Sequence, residues 1–250
     1  MRLGILGGTS PESTIHYYEQ INRKIRQSAG GNTSADIMLR SVNFGAYCQM
    51  MDAGDWGKIE GLLANELLHL AIKDECDFVA IATNTLHKVA NKAERILAQY
   101  GKPLIHIGDC IADECKAAGY KRVALLGTKV TMTEDFLKER LRQNGLEVVG
   151  EFYESEIDDL NRIIFDELCC GEVKIESQIK FLDIIHRADG VDFENGGGGF
   201  DAVILGCTEL GMLLQDRQNF ITARPKYDHH YGFVDSTQAH INKLVETYLK

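Results

Sequence analysis

At 250 residues, 44% of them hydrophobic, the chain is long enough for one large domain or two ordinary ones and for a sizeable core. A formal net charge of −10 argues against nucleic acid as the main partner, and no apolar run approaches the ~18 residues of a membrane span. The cysteine count, seven, is odd, there is no CxxC pair, and the N-terminus enters a strand pattern directly, so these read as reduced thiols of a cytoplasmic protein; no His/Cys spacing matches a metal site.

Leu3–Leu6 is a short apolar strand running into Gly7–Gly8–Thr9–Ser10–Pro11–Glu12–Ser13–Thr14. Two glycines permit a tight turn there, and Ser10 before Pro11 starts a helix that runs to about Ser28. The loop has the look of a phosphate cradle but lacks both GxGxxG and the P-loop lysine, so nucleotide binding is not expected. After the loop Gly30–Thr33, Ile37–Phe44 is a second strand, carrying Arg40. Asn43 to Gly57, which includes Met51, is polar and reads as a mobile loop near a strand end. Lys58–Lys73 is helical, with Ile59, Leu62, Leu63, Leu67 and Leu70 on one face. Phe78–Ala82 is a strand ending in Thr83–Asn84–Thr85–Leu86–His87; a helix over Lys88–Tyr100, a strand at Leu104–Ile107 and a helix from Asp109 to about Ala118 follow.

Val123–Leu126 is again a strand, turning at Gly127–Thr128. A helix starts at Thr131–Met132–Thr133–Glu134 and continues to Asn144–Gly145. Val148–Phe152 reads as a strand, Asn161–Gly171 and Glu176–Arg187 as helices, and Asp192–Phe200, with four consecutive glycines, as a flexible surface loop. Ala202–Val203–Ile204–Leu205 is a buried strand ended by Gly206, which puts Cys207 at a strand's carboxyl end, where open α/β sheets bind ligands. A helix starting at about Thr208 would favour its thiolate; taken alone, such a run more often holds a cysteine that only packs. Asp216–Tyr231, with His229–His230, is a polar loop, and Val234–Thr237 leads into a closing helix from about Gln238 that carries His240.

Strand and helix alternate throughout, which predicts an α/β fold of parallel sheets flanked by helices. Arg2–Gly8 is echoed by Arg122–Thr128, and Phe78–Thr85 by Asp201–Thr208; Gly8 and Thr83 are 75 positions apart, Thr128 and Cys207 79. Chance likeness of apolar strands is the competing explanation. A true duplication gives two similar lobes, 1–98 with 215–250 and 99–214, with Thr83 and Cys207 at equivalent strand ends across a cleft. Two weakly acidic groups flanking one carbon suit removal of a proton from one face and its return from the other, which inverts the centre without a cofactor. Ser10, Asn84, Thr85, Thr128 and Thr208 are short polar residues at strand ends, suited with nearby N–H groups to carboxylate recognition.

Leu6–Thr14, Thr83–Lys88, Val123–Thr128, Leu205–Leu210 and Asp235–Ser236–Thr237 with His240 together resemble the aspartate/glutamate racemase family, part of the group that includes hydantoin racemases and glutamate racemase. The resemblance covers nearly the whole chain. It implies two α/β lobes, a cleft active site, no cofactor, a homodimer and an amino-acid substrate with a carboxylate side chain. The expected catalytic pair is Cys207 and Thr83. Thr9, Ser10, Met51, Asn84, Thr85, Thr128, Thr208 and Glu209 are the candidate substrate contacts, with His240 behind them. Glu209 either orients His240 or caps a helix, Arg40 is either a carboxylate partner or an ordinary surface arginine, and the other six cysteines are packing or surface thiols. The family usually carries a cysteine where this chain has Thr83, although closer relatives acting on acidic amino acids also have threonine there. The expected activity is cofactor-independent racemisation of aspartate or glutamate. A hydroxyl is a poorer base than a thiol, which keeps two rivals in view: a single-thiol decarboxylase or isomerase resembling arylmalonate decarboxylases, and a catalytically weak amino-acid-binding protein.

Overall fold

The computed structural model describes residues 1–190, 199–214 and 231–250. The chain divides into two compact units, Met1–Cys110 with Thr237–Lys250, and Ile111–Ser236. The first unit holds strands β1 (Arg2–Gly7), β2 (Asp36–Ser41) and β3 (Phe78–Ile81), all parallel in the order β2-β1-β3. Helix α1 (Pro11–Ala29) joins β1 to β2; α2 (Phe44–Asp52) and α3 (Trp56–Leu68) lie between β2 and β3. A tight turn, Thr85–Val89, leads from β3 into α4 (Asn91–Gln99).

Alternation along the strands decides what each face meets. Leu3 and Ile5 of β1, with Phe78 and Ala80 of β3, pack on Tyr17, Ile21 and Ile25 of α1. They also meet Ile241 and Leu244 of the closing helix α10 (Ser236–Tyr248). Leu6, Val79 and Ile81 point the other way, onto Ile59, Leu63 and Leu67 of α3. Both faces are covered, so β1 and β3 are apolar without a break, while the edge strand β2 is largely exposed.

The second unit repeats this plan. Helix α5 (Ile107–Ala117) enters it, and β4 (Arg122–Leu126), β5 (Glu147–Val149), β6 (Ala202–Leu205) and β7 (Gly232–Asp235) form a parallel sheet in the order β5-β4-β6-β7. Helices α6 (Lys129–Thr133) and α7 (Asp135–Gln143) precede β5, and α8 (Glu154–Arg162) and α9 (Ile175–Asp189) follow it. Ala124, Leu126, Val203 and Leu205 pack on Leu160 of α8 and on Phe181 and Ile185 of α9.

Several elements differ from the sequence expectation. The segment read as a mobile loop, 43–57, is mostly α2: Asn43 Oδ1 accepts the Ala46 N–H at 3.3 Å, and Tyr47 and Met50, three apart, are buried. The strand expected at Leu104–Ile107 is a single bridge from Leu104 to Val79, because α5 already begins at Ile107. The helix expected from Thr131 to 144 breaks at Glu134, whose backbone is extended (φ −96°, ψ 155°). Lys88–Tyr100 divides into the turn and α4, and β5 stops at Val149 because Gly150 takes φ +97°. The helix expected from Asn161 starts earlier, at Glu154, where the Glu156 carboxylate accepts the Tyr153 N–H at 2.9 Å. It continues as wider and tighter turns to Cys170. The chain returns to the first unit after Ser236, not at 215, because β7 pairs with β6. The glycine-rich loop at 192–198 and most of the polar loop at 216–231 lie outside the described residues.

Candidate functional site

In the first unit the candidate residues gather at the carboxyl ends of β1 and β3. Gly8 has φ +95°, and a Cβ there would sit 2.4 Å from the Val42 carbonyl oxygen, so only glycine fits the turn. Its N–H donates to Thr14 Oγ1 at 2.8 Å, and that hydroxyl donates to the Ser10 carbonyl at 2.8 Å. Ser10 caps α1, its Oγ accepting the Ser13 N–H at 3.3 Å; Ser13 Oγ in turn donates to the Ala82 carbonyl at 3.2 Å. That last bond ties the start of α1 to the end of β3. Thr9, Thr83 and Thr85 are half-buried beside it and Asn84 is buried.

His87, which the sequence reading passed over, fixes the Thr83 backbone. The Thr83 carbonyl only accepts, so His87 Nδ1–H donates to it at 2.8 Å, and Nε2 accepts the Ile107 N–H at 3.3 Å. Its ring lies 4.5 Å from that of His106 and 6.1 Å from that of His240. His240 is fully buried: Nε2–H donates to the Ile105 carbonyl at 2.9 Å, and Nδ1 accepts from Tyr17 Oη–H at 2.9 Å. Burial first, and then the neighbouring His87, push its pKa down to about 3, so it is a neutral imidazole. Both ring nitrogens are thus engaged by Tyr17 and Ile105, which leaves none for Glu209 to orient. The clue in the sequence was histidine four positions after Thr83, one turn on.

Met51 is half-buried on α2 and packs with the α3-side core. Arg40, on the edge strand β2, is bound through two nitrogens to Glu66 at 2.7 and 3.0 Å, which fits the second of its two readings, an ordinary surface arginine, and not a substrate-carboxylate partner.

In the second unit the candidate residues Cys207, Thr208 and Glu209 follow β6. The Gly206 N–H donates to the Leu126 carbonyl at 2.6 Å, and a Cβ on Gly206 would come within 2.8 Å of that oxygen. Glycine therefore lets the chain leave the sheet against β4. Half-buried Cys207 follows, its Sγ donating to Glu209 Oε2 at 3.0 Å, and the Thr208 hydroxyl donates to the same oxygen. No α-helix begins at Thr208; a tight turn, Leu210–Leu214, takes its place. The thiolate therefore lacks the expected helix N-terminus. Burial and then the Glu209 charge raise the Cys207 pKa well above the ordinary thiol value, so the resting group is a thiol. Thr128 caps α6, its Oγ1 accepting the Thr131 N–H at 3.5 Å.

All seven cysteines are free. Burial pushes Cys76 up to about 11 and Cys115 up to about 12, as for packing thiols. Among the described residues no three His, Cys, Asp or Glu side chains converge on a metal position, and no helix is long and apolar enough to cross a membrane.

Hydrogen-bond register shows how closely the units correspond. Leu3 pairs with Phe78 and Leu6 with Ile81; Val123 pairs with Ala202 and Leu126 with Leu205. Superposing Leu3 on Val123 places Ala82 on Gly206 and Thr83 on Cys207, one residue displaced from the echo as written in sequence. The Ala82 N–H to Leu6 carbonyl bond matches that from Gly206 to Leu126.

Comparison with known proteins agrees with this architecture. The chain is 23% identical over 254 residues to the broad specificity amino-acid racemase RacX of Bacillus subtilis (strain 168), over 99% of this chain and 98% of that protein. It is similar to the crystal structure of an aspartate racemase homologue from Pyrococcus horikoshii OT3 (31% identity, TM-score 0.77, 100% and 99% of the two chains). It is also similar to that of a Yersinia pestis protein suggested to be an Asp/Glu racemase (32% identity, TM-score 0.83, 100% and 99%). The profile of the Asp/Glu/hydantoin racemases matches residues 6–244, from β1 into α10, and so takes in both units; the chain belongs to that family.

Proposed function

We propose that this protein is a cofactor-independent racemase of acidic amino acids, aspartate or glutamate, in which Cys207 and Thr83 handle the α-proton. The observation that carries the reading is the thiol of Cys207 at the end of β6, hydrogen-bonded to Glu209. Kinship with a broad specificity amino-acid racemase and an aspartate racemase homologue supports it. Glu209 Oε2 accepts the thiol proton, and the thiolate so formed takes the α-proton from one face of the substrate. The electron pair left on carbon delocalises into the substrate carboxylate. Thr83 gives a proton to the other face and regains one from water, and the hydroxide so formed is neutralised by the proton that Glu209 releases to solvent. Asn84, Thr85 and Thr9 offer donors to the substrate carboxylates, and Ser10 and Thr128, though each accepts a cap hydrogen bond, also carry hydroxyl protons. Thr208 serves by holding Glu209 in place. The reading carries with it a cytoplasmic setting, in which reduced thiols persist, and the homodimer implied by the family resemblance.

The test is α-proton exchange in D2O for L- and D-aspartate and L- and D-glutamate. Exchange is expected with at least one of the two pairs. In folded Cys207→Ser it should fall on the order of 10²–10⁴ for both enantiomers, the usual worth of a positioned acid–base group. Exchange that survives the substitution rejects the mechanism. No exchange at all, with carbon dioxide released from an arylmalonate, selects the decarboxylase; binding without either selects the binding protein.

A further inference from the structure

The second unit contains a cavity that none of the strand-end residues lines. It has a volume of about 210 Å³ and lies over the edge of the sheet, between β4 and β5 on one side and α6, α7 and α8 on the other. Leu125, Met132, Val149, Phe152 and Ile157 give it apolar walls. Its two cations, Lys138 and Arg142, are one turn apart on α7 and therefore on the same side of that helix. Arg142 already faces Asp135 at 3.5 Å, in an exposed and so weak pair. Lys138 is half-buried and, among the described residues, makes no hydrogen bond or ion pair. Burial lowers its pKa first; the Asp135 charge raises it, Arg142 lowers it further, and the net shift is downward, as for a cation whose nearby carboxylate does not offset its burial. A like-charged pair beside apolar walls is a poor arrangement for an empty space and a good one for an amphipathic anion.

We propose that this cavity is a binding site for a small organic monoanion, its carboxylate on Lys138 and Arg142 and its apolar body among the side chains of α6, α8 and β4. One charge suffices, since Asp135 offsets one of the two cations. The volume equals that of about seven liquid waters, room for a body of about four to six carbons. An acidic amino acid fits this description less well: its ammonium group would be repelled by Lys138 and Arg142. The inference is independent of the racemase reading and concerns a different ligand class.

The experiment uses the full chain labelled with [methyl-13C]methionine, with Met132→Leu identifying the Met132 signal, and hexanoate as the probe. Hexanoate is expected to shift the Met132 methyl saturably. 1-Hexanol, which lacks the charge, and acetate, which lacks the body, should each bind about tenfold more weakly or worse, the worth of one charge-assisted contact or a buried chain. Lys138→Met should weaken hexanoate about tenfold, bring hexanol level with it, and leave amino-acid exchange unchanged. A Met132 signal that hexanoate does not move overturns the proposal, as do equal affinities for hexanoate and hexanol in the unsubstituted protein. That ratio decides the matter even if Lys138→Met fails to fold.

Discussion

At Cys207 several influences meet on one sulfur, and their order matters. Burial contributes most to raising the pKa, the Glu209 charge and the thiol's own hydrogen bond to it add to that, and the Glu209 backbone N–H works the other way. A thiol so placed is scarce as thiolate but strongly basic once formed, which suits abstraction of a weakly acidic α-proton provided a neighbour can accept the thiol proton. Glu209 Oε2, which accepts the thiol's hydrogen bond at 3.0 Å, is the group proposed for that role. Glu209→Gln therefore has two separable consequences. Removing the negative charge and its acceptor lowers the Cys207 pKa, so the midpoint for alkylation by iodoacetamide, followed by mass spectrometry of the Cys207 peptide, should move to lower pH. Racemisation should nonetheless fall on the order of 10²-fold, because the proton has lost its acceptor. An alkylation midpoint that stays put, or rises, would mean that Glu209 does not govern this thiol.

At the scale of elements, His240 joins α10 to α1 and to the segment before α5 through Tyr17 and Ile105. Its native pKa of about 3 lies below that of a free imidazole, so between about pH 6.5 and 3 the unfolded chain binds a proton that the native chain refuses. The stabilising contribution is whole above that window and drains away as pH falls through it, by about 2 kcal/mol at pH 5. His240→Gln keeps a donor and an acceptor but cannot titrate. Urea unfolding at pH 7 and 5 should show the variant losing about 2 kcal/mol less than the parent on acidification; equal losses would remove His240 from the account. The same segment marks the limit of what could be read from sequence. Strands β1, β3, β4 and β6 were legible because burial on both faces writes an unbroken apolar run. Thr83, Asn84, Cys207 and Thr208 were legible as polar residues immediately after such runs. The Leu104 bridge, the break at Glu134 and the absent helix at Thr208 were not, since each turns on backbone bonding that leaves little trace in side-chain periodicity. His87 and His106 were missed for a related reason: they are buried and bond backbone groups, His87 those of Thr83 and Ile107 and His106 that of Gly108, which side-chain pattern does not reveal.

Across the whole molecule, two sheets share one strand order, with the Leu104 bridge holding in the first the position that β7 holds in the second. Register places Thr83 where the second unit has Cys207, so one duplicated position carries a hydroxyl in the first unit and a thiol in the second. Around it the units differ as well: Cys207 has a carboxylate two residues on, whereas the Thr83 carbonyl is held by a neutral, fully engaged imidazole. A hydroxyl without an activating base gives up its proton reluctantly, so abstraction should be fast only for the enantiomer whose α-hydrogen faces Cys207. Equilibrium between enantiomers is 1:1, which forces kcat/KM to be equal in the two directions; the asymmetry must appear in kcat and KM separately and in the single-enantiomer exchange rates. Thr83→Cys restores a thiol at the duplicated position without altering the backbone bond from His87. Exchange of the slower enantiomer should rise about tenfold or more, while that of the faster one changes little, because its abstracting group is untouched. Measuring α-proton loss from each enantiomer before and after the substitution gives the answer directly. Parent rates already equal for both enantiomers, together with no response to Thr83→Cys, would show that the second proton is carried by some group other than Thr83.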